Sequence, residues 1–344
     1  MKNKILLIII LLVIAGVAGV FLFGKGKGFE INKNGSKDQE AVSVSPSLPV
    51  SPISGLACAN AERRPIAVML AGDAVARPLS GLSEADLVLE MPVITGSINR
   101  LMAVFVCGDP KEIGSIRSSR HDFIPLAKGL DAIFAHWGGS HFALDELNTG
   151  VINNIDALKN PFNAFFRKSG IVSPHNGFSS MSRLLNSAQK LGYRLEGQFS
   201  GYPHLADSQN SPTATTTKTL SVNYPGVFKV KYIYDPATDL YSRWRGGTKE
   251  IDKNNGQQIA VKNVVIMRAF SKQIEGQYND MAIEGSGKAV VYRNGAEITG
   301  TWKKDAANQG SKLYFYDAAG AEVKFMPGNI WIEVVEPSES VSWQ

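Results

Sequence analysis

Residues Ile5 to Phe23 form an uncharged apolar run of 19 residues, which commits the start of this 344-residue chain to a membrane before any fold is considered. At about 1.5 Å per residue, a helix of that length spans roughly 28 Å, close to the hydrocarbon depth of a bilayer. Lys2 and Lys4 lead the run and Lys25 and Lys27 follow it, so flanking charge orients the helix only weakly. The short N-terminal tail favours a cytoplasmic start, with all that follows on the far side. A cleaved signal peptide is the competing reading, because Gly16 and Ala18 are small enough for a processing site. Cleavage there would leave the apolar stub Gly19 to Phe23 on the mature protein, which favours retention. Residues 1–23 are therefore read as a cytoplasmic stub and single-pass anchor, placing the protein in the cell membrane with its folded domains extracytoplasmic.

Residues 24–50 read as a flexible tether, rich in Gly, Lys, Ser and Pro and without apolar periodicity. The remainder is globular in composition, with 44% hydrophobic and 19% charged residues over the whole chain, and has room for two domains. The net charge of +5 comes from scattered residues. No basic block alternates with aromatics, which argues against nucleic acid as a partner. Cys58 follows Gly55-Leu56-Ala57 in the manner of a lipidation site, but the whole tether separates it from the apolar run. In an oxidising compartment a Cys58–Cys107 disulfide is expected; the alternative is two unpaired thiols.

Residues 51–196 alternate short apolar runs with helical stretches. Ile66 to Leu70, Asp86 to Met91, Leu101 to Val106 and Ala132 to His136 read as strands. Ser118 to Lys128, Ser140 to Leu147 and Ser179 to Leu191 read as helices. Interleaving of this kind predicts an α/β N-terminal domain, a layered sheet with helices. Residues 197–219 are low in complexity and read as a linker. Residues 220–338 carry strand signals, including the Asn294-Gly295 hairpin turn, and predict a β-rich C-terminal domain.

The chain lacks the hydrolase elbow, the zinc-protease helix, the phosphate loop and the paired-cysteine motif. No cofactor is implied. What remains is a set of polar residues at element ends. Arg117-Ser118-Ser119-Arg120-His121 is expected to open a helix, where free N–H groups and two guanidinium forks suit a carboxylate or phosphate. The competing reading is a serine cap with arginines paired on the surface. His136 ends a strand before Trp137-Gly138-Gly139-Ser140, where glycines let a ligand approach and α/β domains commonly bind one. A buried, hydrogen-bonded histidine explains the same pattern. Ser173-Pro174-His175-Asn176, with Arg167 upstream, is either a third wall of that site or a loop capping the next helix. Arg77, Glu90 and Arg100 complete the candidates. His136, His141, His175 and Asp156 fall at no metal-ligand spacing, so no metal is expected.

In this order the residues resemble the YerB-like family of bacterial envelope proteins (DUF3048, in N- and C-terminal parts). The resemblance rests on Arg64-Pro65-Ile66-Ala67-Val68-Met69, Ala76-Arg77-Pro78-Leu79-Ser80-Gly81-Leu82, Arg117-Ser118-Ser119-Arg120, His136-Trp137-Gly138-Gly139-Ser140 and Pro174-His175-Asn176. In the second half it rests on Tyr234-Asp235, Asn263-Val264-Val265, Asn294-Gly295 and Gly300-Thr301-Trp302. It implies an extracytoplasmic, membrane-attached protein with an α/β first domain and a β-rich second one, and brings no established reaction. Many relatives are lipid-anchored, whereas this chain carries a helical run.

Three functions remain in view. The first is binding of an anionic envelope polymer or small anion through Arg77, Arg117, Ser118, Arg120, Gly138, Gly139, Ser140, Arg167 and Asn176. The second is an envelope-polymer hydrolase or transferase with His136 and His175 as acid and base. The third is a scaffold that docks proteins.

Overall fold

In this computed structural model the described residues are 47–94, 96–206, 213–276 and 278–344. The apolar run from Ile5 to Phe23 and nearly all of the tether lie outside them. Among the described residues no helix is long and apolar enough to cross a membrane.

Ile66–Ala71 (β1) and Leu87–Pro92 (β2) are buried along their whole length, as continuous apolar strands covered on both faces must be. They are joined by Asn99–Phe105 (β3), Ile133–His136 (β4), Asn154–Asp156 (β5) and Asn263–Arg268 (β6). Gly285–Arg293 (β7), Ala296–Lys304 (β8), Tyr314–Asp317 (β9) and Ile330–Val335 (β10) complete a ten-stranded mixed sheet. Its order is β9-β8-β7-β6-β10-β2-β3-β1-β4-β5. β10 lies parallel to both β2 and β6, placing Glu333 beside Glu90. The two halves anticipated from the sequence thus contribute to one sheet within the compact unit Ser47–Gln344.

Alternate residues of the strands face opposite layers. Val68 and Leu70 point to a cluster that includes Met181 and Leu184 of helix Met181–Lys190 and tyrosines of a second, smaller sheet built from strands within residues 218–249, Ala260–Val261 and Val341–Trp343. Ala67 and Met69 point the other way, to Phe123 and Ile124 of helix Phe123–Gly129 and to Ala143 and Leu147 of helix His141–Asn148. These three helices, α3, α1 and α2 respectively, all belong to the first half. Among the described residues the regular structure of the second half is strand apart from the single 3-10 turn Gly226–Phe228, and Asn294 and Gly295 both take positive φ to turn β7 into β8.

Two differences from the sequence reading bear on the site. The first is the helix expected over Ser118 to Lys128, which begins only at Phe123. Residues 115–120 instead run as an extended strap, because their backbone groups are already engaged. Arg117 N–H donates to Met69 O at 2.9 Å, and Ser119 N–H to Gly138 O at 2.9 Å. Trp137 N–H donates back to Arg117 O at 3.1 Å. The second concerns residues 197–219. Leu205 N–H bonds Phe325 O, and a strand, Lys218–Val222, opens inside the stretch. Cys58 and Cys107 are bonded, with Cα atoms 5.8 Å apart, fastening the segment before β1 to the exit of β3.

The two sheets are joined through a buried ion cluster. Arg243 of the smaller sheet donates to Glu90 at 2.6 Å and to Glu333 at 2.9 Å, and its guanidinium lies 4.0 Å above the Trp331 ring. Arg245 binds both Glu90 oxygens, and both arginines pair with Glu250. Burial pushes the Glu90 carboxyl up, but Arg245 and Arg243 override it and hold it at about 2. Glu90, a candidate for function in the sequence, is part of this joint.

Candidate oxyanion site

β1, β2, β4, β5, β6 and β10 all run in one direction, so their C-terminal ends emerge along one edge of the sheet. α/β proteins place ligands at that edge. There β1 exits through Gly72 into Asp73 while β3 enters through Asn99 and Arg100. The two backbones pass so closely that a Cβ on Gly72 would lie 2.3 Å from Asn99 O. This approach brings Arg100 Nη1 to 3.1 Å from Asp73 Oδ2.

The strap that replaces the expected helix start lies over the same edge. It carries Arg117, whose Nε is 3.9 Å from the same Asp73 oxygen, and Arg120, whose Nη1 donates to Ser119 O at 2.9 Å. Arg120 also stacks over the Tyr278 ring at 5.4 Å. The charges of Arg117 and Arg120 both depress Arg100, and Arg117 depresses Arg120, which places the three guanidiniums in one electrostatic group. Burial is the largest cause in each case, and it brings Arg100 down to about 9.

His175 joins them from the loop before the strand Gly177–Ser179. Burial lowers its imidazole, Arg117 and Arg100 lower it further, and Asp73 opposes them. The Nε atoms of Arg100, Arg117 and Arg120 and Nδ1 of His175 are all buried without a hydrogen-bond partner. Buried donors are normally satisfied, and charged ones cost most when left open. Arg100 and Arg117 flank the Asp73 carboxylate, and Arg120 and His175 couple electrostatically to those two arginines; guanidinium forks are the side-chain groups best shaped to hold an oxyanion.

The remaining candidates fall around this centre. Arg167 donates to Asn176 Oδ1 at 2.6 Å and lies 4.4 Å from the centre of the Trp137 ring, forming an exposed rim. Gly139 pairs with Ser119 of the strap, and Ser140 Oγ caps α2 by accepting from Ala143 N–H at 3.2 Å. Gly138 takes φ +60° and donates its N–H to Asp156. Ser118 is half-buried on the strap. Arg77 donates to Gly72 O at 2.6 Å and Val227 O at 3.1 Å, touching the edge while serving the backbone.

His136 sits differently. It is 1% exposed, Nδ1 lies 2.9 Å from Gly138 O and Nε2 lies 3.3 Å from Asn154 Oδ1. Burial lowers its pKa, with Asp156 opposing. Both ring nitrogens are engaged inside the protein. His141 pairs with Glu275 at 3.2 Å, and Asp156 caps the Gly138 and Leu158 N–H groups. Sequence reasoning passed over Asp73 and gave Trp137 no role. The available signal was the sequence Ala71-Gly72-Asp73 at the end of a fully apolar strand.

A mixed sheet spanning two sequence halves, with a cluster of arginines at its carboxyl edge, defines an α/β protein with an appended β-rich part. Residues 53–194 match the N-terminal domain and residues 220–332 the C-terminal domain of the family described as "Protein of unknown function (DUF3048)", and the chain belongs to that family. It is 30% identical over 298 residues to "Putative lipoprotein YerB" of Bacillus subtilis (strain 168), covering 85% of this chain and 88% of that protein. The crystal structure of YerB from Bacillus subtilis superposes with a TM-score of 0.76 at 29% identity, covering 86% of this chain and 99% of the other.

Proposed function

We propose that this chain is a membrane-attached extracytoplasmic protein that binds an oxyanion-bearing envelope ligand at the cluster of Arg100, Arg117, Arg120 and His175. The observation that carries the reading is the set of buried nitrogens without a hydrogen bond on those four side chains. A relative named as a lipoprotein supports the compartment, and the apolar run from Ile5 to Phe23 supports the anchor. The ligand group is a phosphate or a carboxylate, since both fit guanidinium forks. Arg167, exposed at the rim, and the half-buried Asn176 beside it would contact whatever chain carries that group. The acid–base alternative is weaker because the His136 ring is enclosed and doubly engaged.

Calorimetric titration of the full-length protein in detergent with short-chain polyphosphate, and separately with an acylated D-alanyl dipeptide, distinguishes the two anion classes. Each hydrogen bond to a charged group is worth about 1.5–3 kcal/mol. Arg117→Ala should therefore weaken the bound class by roughly 10- to 150-fold, while Arg183→Ala, on the outer face of α3, should leave it unchanged. Absence of binding to either probe, or equal affinity in Arg117→Ala, would overturn the proposal.

A further inference from the structure

A second polar cluster lies on the other side of Arg120. His121 and Asp122 close the strap just before α1, and Asp280 comes from the second strand of a hairpin formed by Ser271–Glu275 and Tyr278–Met281. His121 Nε2 lies 3.3 Å from Asp122 Oδ1 and 3.4 Å from Asp280 Oδ1. One ligand atom from each of the three residues fits within 4.8 Å of the others. They line a cavity of about 240 Å³ together with Glu146 and Glu284.

Hydrogen bonding alone accounts poorly for this arrangement. Nε2 carries at most one proton, yet two carboxylates face it at nearly equal distances. Asp122 is 3% exposed; Oδ1 accepts the Met281 N–H at 3.0 Å, but Oδ2 is buried with no partner. Glu284 Oε1, in the same cavity, is also buried and unpartnered. The two imidazole–carboxylate spacings, 3.3 and 3.4 Å, suit a cation between the groups. Imidazole and carboxylate ligands at about 2.0–2.2 Å in a tetrahedron stand roughly 3.3–3.6 Å apart. An imidazole among carboxylates favours zinc or manganese over calcium, which takes oxygen ligands.

We propose that His121, Asp122 and Asp280 bind one divalent ion of the zinc or manganese type, with Glu146 or Glu284 positioned to supply a further oxygen. The ion would fasten the hairpin of the second half to the turn that opens α1 in the first half. It would also fix Tyr278, on which Arg120 rests.

The test uses full-length protein in detergent, stripped with EDTA and titrated with zinc or manganese chloride. Retained metal is measured by elemental analysis after desalting, and the thermal midpoint is followed alongside. The expected result is one ion per chain with a raised midpoint. Asp280→Asn should weaken binding at least tenfold without unfolding, because that side chain is half exposed, and His121→Gln should do the same. His141→Ala, which removes the nearby surface pair with Glu275, should bind normally. The proposal fails if no ion is retained, if Asp280→Asn binds like the parent, or if His141→Ala alone abolishes binding.

Discussion

At the scale of single residues, burial decides which polar groups are available for chemistry. His136 and His175 look alike in the sequence, each beside small or stiff residues at an element end. In the fold one is enclosed with both nitrogens engaged, and the other keeps a buried Nδ1 without a hydrogen bond while its ring feels the charges of Arg117 and Arg100. The difference lies in neighbours that come from distant parts of the chain, Asn154 for one and Arg100 for the other, so no local pattern distinguishes them. The paired arginines of the strap were legible because two forks three residues apart are uncommon. Asp73 was not, since a lone aspartate after a strand reads as a turn. His175 also sets a pH response. Its imidazole is lowered by burial and by Arg117 and Arg100. A bound anion would offset those charges and raise it, so binding would take up a proton. Anion affinity should therefore go on rising as pH falls below the ordinary imidazole value of about 6.5, and His175→Ala should flatten that profile in titrations from neutral pH downward.

At the scale of elements, strands proved easier to read than the segments between them. β1, β2, β3 and β4 lie within a residue or two of their expected bounds because each is a largely apolar run buried along its whole length. The strap was misread as a helix because Ser118 and Ser119 resemble caps, while the partners that hold it extended, Met69 and Gly138, lie in other elements. The strand Gly177–Ser179 shows how tightly the rim is built: a Cβ on Gly177 would lie 2.4 Å from the Trp137 ring. Gly177→Ala should displace that ring from Arg167, destabilise the protein by about 1–3 kcal/mol, and change tryptophan fluorescence. Chemical denaturation monitored by that fluorescence measures both effects. An unchanged spectrum and midpoint would contradict the packing described.

At the scale of the whole molecule, the joint between the sheets carries a second pH dependence. Glu90 lies well below its ordinary value of 4.5, at about 2. A depressed carboxylate adds stability above pH 4.5 that disappears as pH falls towards 2, while Glu333 beside it, raised by burial and by the Glu90 charge, works against that trend. Glu90→Gln should be less stable at neutral pH, since it leaves Arg243 and Arg245 undercompensated, and its unfolding free energy should vary less between pH 4.5 and 2. Thermal unfolding across that window, with a slope equal to the parent's, would refute the assignment. The sequence suggested two successive domains because its composition changes near residue 200. It could not show that β10, close to the end of the chain, is inserted between β6 and β2.

That insertion has a temporal consequence. A ribosome delivers β2 some two hundred and forty residues before the strand that covers it, counting from Leu87 to Ile330. Until the last stretch emerges, Val88 and the other apolar side chains of β2 lack their lateral neighbour, and an uncovered strand edge readily recruits foreign chains. Delayed pairing of this kind leaves the nascent protein open to aggregation until β10 is made. A chain halted at residue 329 should accumulate in the insoluble fraction of a pulse-labelled culture, while the finished chain stays dispersed.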